Sequence, residues 1–116
     1  MALVTDTGEA WIAGLIRAQT GLHLAIGTGT TAEAETQTAL VTEVGTRVAD
    51  ATGAGSGDTA TFQSTFAAGN GTATIGEYGL FTASTAGTMI VRHLEASPFA
   101  KAAGDSLDLT ISVQII

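Results

Sequence analysis

The side chains with chemistry to offer are two histidines, His23 and His93, and eleven scattered carboxylates. A hydrolase needs a nucleophile held beside a base. Each histidine alternates with apolar residues inside a predicted strand, and no Gly-x-Ser-x-Gly elbow presents a serine. Both are read as exposed or half-buried strand histidines. A metal site would require His23, His93 and a carboxylate such as Glu77 to meet in space, and no H-x-H or H-E-x-x-H spacing brings them together. Asp58, Asp105 and Asp108 lack the D-x-[DN]-x-[DN]-G pattern of a calcium loop. Asp58 and Asp105 are read as caps where strands begin, and Asp108 as a polar-face residue.

Gly27-Thr28-Gly29-Thr30-Thr31 has the look of a phosphate-cradling loop. It lacks the lysine of a P-loop, and no apolar helix follows it. The plainer reading is a tight, neutral loop at a strand end. The carboxylates form no distinctive pair of the kind glycoside hydrolysis uses. One Trp, one Tyr and four Phe are few for a sugar-binding enzyme, and Trp11 is assigned to the core. No catalytic residue, cofactor or metal is expected.

The elements that would position these residues are short. The 116 residues make one domain, 1–116, large enough to bury a real core. A helix is predicted from Asp6 to about Gln19, with Asp6 and Glu9 spaced as a capping box. Trp11, Leu15 and Ala18, with Ile12 and Ile16 beside them, form an apolar stripe suited to lying on a sheet. The β body spans about 22–116. Leu22–Ile26 is a strand, 32–38 an extended surface excursion, 39–44 ambiguous between a helical turn and a strand, and Arg47–Ala51 a strand. Thr52–Gly57 is a Gly-rich turn.

Asp58–Ala67 alternates, with Ala60, Phe62, Ser64 and Phe66 on one face. Asn70-Gly71 then signals a hairpin to Thr72–Ile75. Tyr78–Thr82 follows bulges expected at Gly76 and Gly79. Thr88–Leu94 is a strand, which Ser97-Pro98 breaks. The clearest strand is the last, with Leu107, Leu109, Ile111, Val113 and Ile115 facing a core. The fold class is therefore mainly β: an antiparallel sandwich or flattened barrel of about seven strands with one N-terminal helix.

Charge narrows the partners. The net charge is −7, and the four bases, Arg17, Arg47, Arg92 and Lys101, form no patch in sequence. Nucleic acid and anionic membranes are disfavoured on that ground. There are no cysteines, so disulfides and thiolate metal sites are excluded. The N-terminus does not read as a secretory signal, and no apolar run is long enough to span a membrane.

The order of motifs carries a resemblance. Leu24-Ala25-Ile26-Gly27-Thr28-Gly29-Thr30-Thr31-Ala32 leads into Thr38-Ala39-Leu40-Val41-Thr42-Glu43-Val44. Gly57-Asp58-Thr59-Ala60-Thr61-Phe62, Ile75-Gly76-Glu77-Tyr78-Gly79-Leu80-Phe81 and Gly87-Thr88-Met89-Ile90-Val91-Arg92 follow. Pro98-Phe99-Ala100-Lys101-Ala102-Ala103-Gly104-Asp105-Ser106-Leu107 opens the last strand. From about Gly8 to Ile116 this series resembles small virion structural proteins of tailed bacteriophages. The resemblance implies a non-enzymatic virion component, made in the host cytoplasm. The first expectation is a capsid decoration (cement) protein on the head surface, bound to the major capsid protein and assembled as a homo-oligomer, a trimer by preference. A tail, baseplate or fibre-attachment subunit is the alternative, and a carbohydrate-binding module or glycosidase a more distant one. The contacts to neighbouring subunits are expected from Thr28, Thr30, Thr31 and Glu33, with the Ala51–Gly57 loop and the segment Met1–Thr5 also available.

Overall fold

The computed structural model describes residues 1–51 and 53–116. Among these the chain forms one helix and six strands, all paired antiparallel. They are α1 (Asp6–Arg17), β1 (His23–Gly27), β2 (Glu43–Ala49), β3 (Thr59–Phe66), β4 (Ala73–Phe81), β5 (Met89–Lys101) and β6 (Leu107–Gln114). One sheet has the order β2-β1-β4-β5, and the other consists of β3 and β6. The mainly-β class with an N-terminal helix is as the sequence predicts.

The core lies between the two sheets, and period-two alternation builds it. Ala60, Phe62 and Phe66 of β3 and Leu109 and Ile111 of β6 meet Leu24 and Ile26 of β1 and Ile75 and Leu80 of β4, all buried. Leu22, Val44, Val48, Leu107 and Val113 complete it. The alternation read in 58–67 and 107–115 is therefore the alternation that packs. Ile115 falls just past the end of β6, where its N–H donates to the Asp58 carbonyl.

Several expectations fail for identifiable reasons. The Asn70-Gly71 turn forms, but it does not make a β3–β4 hairpin. β3 pairs with β6 along its whole length, Thr59 to Gln114 through Phe66 to Leu107, while β4 crosses to the other sheet. The Asn70 side chain accepts from the Thr46 N–H at 2.7 Å and donates to the Thr46 carbonyl at 2.9 Å. The turn thus clips onto β2, where Gly45 takes a positive φ of 69° and leaves room for the Asn70 amide. β2 begins at Glu43, earlier than Arg47. Thr52 lies outside the described residues, and Ala54 makes an isolated bridge to Thr61.

Ser97-Pro98 does not end its strand. β5 runs on to Lys101, but Ile75 pairs with Phe99 and Glu77 with Leu94, a step of two on β4 against five on β5. The proline sits in this irregularity on an edge strand, where no ladder N–H is needed. β5, with 13 residues, spans about 40 Å at 3.3 Å per residue. The molecule measures 47 × 27 × 25 Å.

The helix is capped one residue earlier than expected. Thr5, not Asp6, is the N-cap, its hydroxyl accepting from the Gly8 N–H. The helix packs on β3 through the side carrying Ala13, which is fully buried, with Ile16 against the core. Trp11 is 67% exposed and Leu15 45%, so the tryptophan assigned to the core faces away from it.

Burial separates the phenylalanines energetically. Phe62→Ala is expected to lower unfolding stability by about 3–5 kcal/mol, because Phe62 is fully buried. Phe99→Ala is expected to cost about 1 kcal/mol or less, because Phe99 stands on the edge strand and is 37% exposed. Urea denaturation of the two variants checks the contrast.

Candidate functional site

The outer face of the four-stranded sheet holds the most specific polar arrangement in the chain. It begins with an irregularity in β4. In an unbroken strand Ile75 and Glu77 would share a face. The pairing shifts between them at Gly76, so Ile75 stays in the inter-sheet core with Tyr78 and Leu80, while Glu77 turns outward with Phe81. The bulge expected at Gly76 is present. At Gly79 the ladder continues without a shift, and the glycine instead leaves the space that Leu40 occupies.

Glu77 is fully buried, yet it is charged and satisfied. Its Oε2 accepts from the Gly29 and Thr42 N–H groups, each at 2.8 Å. Its Oε1 accepts from the Val41 N–H at 2.8 Å and from Arg92 Nε at 2.9 Å. Burial alone would raise the pKa of this carboxyl. The Thr42 and Val41 amides, the Arg92 guanidinium and the Gly29 amide outweigh it and hold the group below its ordinary value of 4.5. A carboxylate so held stays ionised at neutral pH and is a poor general acid or base. Its work is mechanical: it fastens both ends of the segment 28–42 to the centre of the sheet.

The glycines make that approach possible. A Cβ on Gly27 or Gly29 would strike the Glu77 carboxylate, and one on Gly76 would strike the Gly29 carbonyl. The Gly27-Thr28-Gly29 sequence does cradle an anion through a backbone amide, and the anion is the chain's own. Leu40 then closes the layer, packing with Ala25, Phe81 and Met89. Arg47 lies over the Phe81 ring at 3.6 Å from its centroid. It pairs with Glu43 and donates to the Ala83 and Ala86 carbonyls, which secures the turn between β4 and β5.

The residues singled out in the sequence occupy different parts of this layer. Thr28 is half-buried, its N–H donating to the Thr42 carbonyl at 2.9 Å. Thr30 and Thr31 are exposed. Glu33 reaches the outer edge of the sheet, where its carboxylate accepts from the Leu94 N–H at 2.8 Å and lies 3.9 Å from His93 Nδ1. With Glu35, Gln37 and Arg92 it lines an open cleft of about 380 Å³, in which Gln37 accepts from Arg92 Nη1 at 3.3 Å.

The histidines stand apart from Glu77. His93 pairs with Tyr78, against whose ring it rests at 4.8 Å between centroids. That places it on the opposite face of the sheet from Glu77. His23 is opposite Phe81, four residues along β4 from Glu77, or roughly 13 Å at strand spacing, and its Nδ1 lies 2.7 Å from the Gly21 carbonyl. Asp105 caps a turn, accepting from the Ala102 N–H. Asp58 bonds to the side chains of Thr59 and Gln114. Sequence reasoning named Glu77 only as one possible ligand. The signal available was a lone acid between Gly76 and Gly79 in an otherwise apolar strand.

Glu77→Gln is expected to lower stability by about 3 kcal/mol or more. It removes the charge beside Arg92 and turns an amide donor toward backbone donors. Denaturant unfolding measures the loss, and limited proteolysis should find new cleavage between residues 28 and 42. Acid should do the same to the native chain. With the folded pKa depressed, the Glu77 contribution is complete above the ordinary value of 4.5 and is lost as pH falls below it toward the folded pKa. Stability of the Gln variant should lack this component of the acid dependence. Compared with known proteins, the chain matches no family model and no curated sequence.

Proposed function

We propose that this chain is a non-enzymatic structural protein of a tailed-bacteriophage virion, acting as a capsid decoration subunit that binds the major capsid protein and stabilises the head. The observation that supports this best is the surface layer fixed by Glu77. Fifteen residues between β1 and β2, numbers 28–42, are held against a sheet by a buried carboxylate. A loop that meets a partner already ordered avoids the entropy that a mobile one loses on binding. Thr30 and Thr31 are exposed, uncharged positions on this layer and are assigned to contact the capsid. Glu33 serves the edge of β5 and stands beside them.

The charge distribution fits the same reading. Arg17 donates to the Gly57 and Thr59 carbonyls, and Lys101 to those of Ala67 and Asp105. Arg47 and Arg92 are held by Glu43 and Glu77. All four basic side chains are thus engaged within the chain. A surface of this kind is suited to protein contacts and poorly suited to phosphate backbones.

Quantitative mass spectrometry of purified particles tests the assignment. Hundreds of copies per particle are expected, with heads lacking the protein rupturing at lower temperature. A dozen copies or fewer would place the chain in the tail, and heads that withstand heat equally well without it would end the stabilising role.

A further inference from the structure

The turn between β3 and β4 carries a dipeptide whose chemistry the fold both requires and restrains. Asn70 is the chain's one asparagine, and a glycine follows it. The glycine is dictated by space. Gly71 is buried with a positive φ of 76°, and a Cβ there would strike the Ile26 side chain. The asparagine is dictated by bonding. The ladder between β1 and β2 is irregular beside the turn, where the two positions from Leu24 to Ile26 face four on β2, Val48 to Val44. Within that irregularity the Thr46 N–H donates to Asn70 Oδ1, and Asn70 Nδ2 donates to the Thr46 carbonyl. An amide offers a donor and an acceptor side by side, as a peptide group does, whereas a carboxylate offers acceptors alone.

An asparagine followed by glycine is also where a chain can modify itself, because a residue without Cβ leaves its nitrogen open to approach. We propose that Asn70 is a deamidation site gated by the clip to Thr46. The Gly71 nitrogen gives up its proton to solvent base and attacks Asn70 Cγ. The new C–N bond forms, the Cγ–Nδ2 bond breaks, and Nδ2 takes up a proton and leaves as ammonia. Water then opens the resulting succinimide at either carbonyl. One opening yields aspartate, and the other yields isoaspartate, in which the main chain runs through Cγ.

The closed clip opposes the first step. Attack turns the planar Cγ onto the Gly71 nitrogen and makes it tetrahedral. Two bonds to a single residue, at 2.7 and 2.9 Å, hold the amide plane against that rotation. The step therefore waits for the turn to leave β2. It is then one-way in its effect. Either product keeps an acceptor for the Thr46 N–H but has no donor for the Thr46 carbonyl, which it meets with negative charge. The isoaspartate also lengthens the main chain next to Gly71, which is seated against Ile26. Modification thus releases the turn from β2. The site lies apart from Glu77 and stands independently of the virion reading.

Peptide mapping by mass spectrometry follows the reaction at the one position where it is expected. At mildly alkaline pH the native chain should form aspartate and isoaspartate at position 70 more slowly than the same chain unfolded in urea, by on the order of tenfold or more. Gly45→Ala separates the clip from the fold as a whole. Its Cβ would fall on Asn70 Oδ1 at a backbone φ of 69°, so it should free the side chain and bring the rate toward that of the unfolded chain while the circular dichroism spectrum stays that of a β protein. Asn70→Asp supplies the product directly and serves even where the Gly45 variant does not fold. It should unfold at lower urea concentration than the native chain and lose hydrogen-exchange protection at the Thr46 amide. A native chain that deamidates as fast as the unfolded one would overturn the proposal. So would a folded Gly45 variant that reacts no faster than the native chain, or an Asn70→Asp chain with native stability and native protection at Thr46.

Discussion

The outer layer of this molecule depends on one buried negative charge. A carboxylate removed from water is costly unless donors replace its hydration. Glu77 has four of them: three backbone N–H groups and one guanidinium nitrogen. The donors come from both ends of a fifteen-residue connection, and they reach the carboxylate because three glycines leave no side chain in the way. The same contacts satisfy the loop's buried amides, which would otherwise lack partners over an apolar sheet face. Neither the loop nor the charge is stable in that place without the other.

Two layers of differing character result. Between the sheets the chain uses alternation, Phe and Leu against Ile, with no ion pair among the described residues. Outside the four-stranded sheet it uses a thin second layer in which Leu40, Phe81 and Met89 are interleaved with Glu77, Arg92 and Arg47. The first layer fixes the fold. The second fixes the surface, because its ion pairs and hydrogen bonds are directional and hold the connections between strands. The basic residues take part in the same internal bonding.

Much of the body was legible because its signals are local. Period-two patterning in Ala60–Phe66 and Leu107–Val113 gave both the strands and their inward faces, and the glycine before Glu77 marked its bulge. What the sequence concealed is non-local. The Asn-Gly turn is a local hairpin signal, but the partner of β3 was settled by the hydrophobic match with β6, some fifty positions away. Trp11 looked like core because its spacing is that of an amphipathic helix. The helix has apolar residues on two sides, and periodicity cannot say which side meets the sheet. Of the contact residues named at the outset, Thr30 and Thr31 stand exposed on the layer, Thr28 is tied to Thr42, and Glu33 is bonded to the edge of β5. The residue that organises them was visible in the sequence only as an acid out of place.

Amide hydrogen exchange at Gly29, Val41 and Thr42 bears most directly on this account. These three N–H groups belong to a connection, not to a strand ladder, except through their bonds to Glu77. Protection comparable to that of β4, lost selectively when Glu77 is replaced by Gln while the amides of β3 and β6 remain protected, is the predicted result. Exchange at the rate of free loop amides in the native chain, near neutral pH, would contradict it.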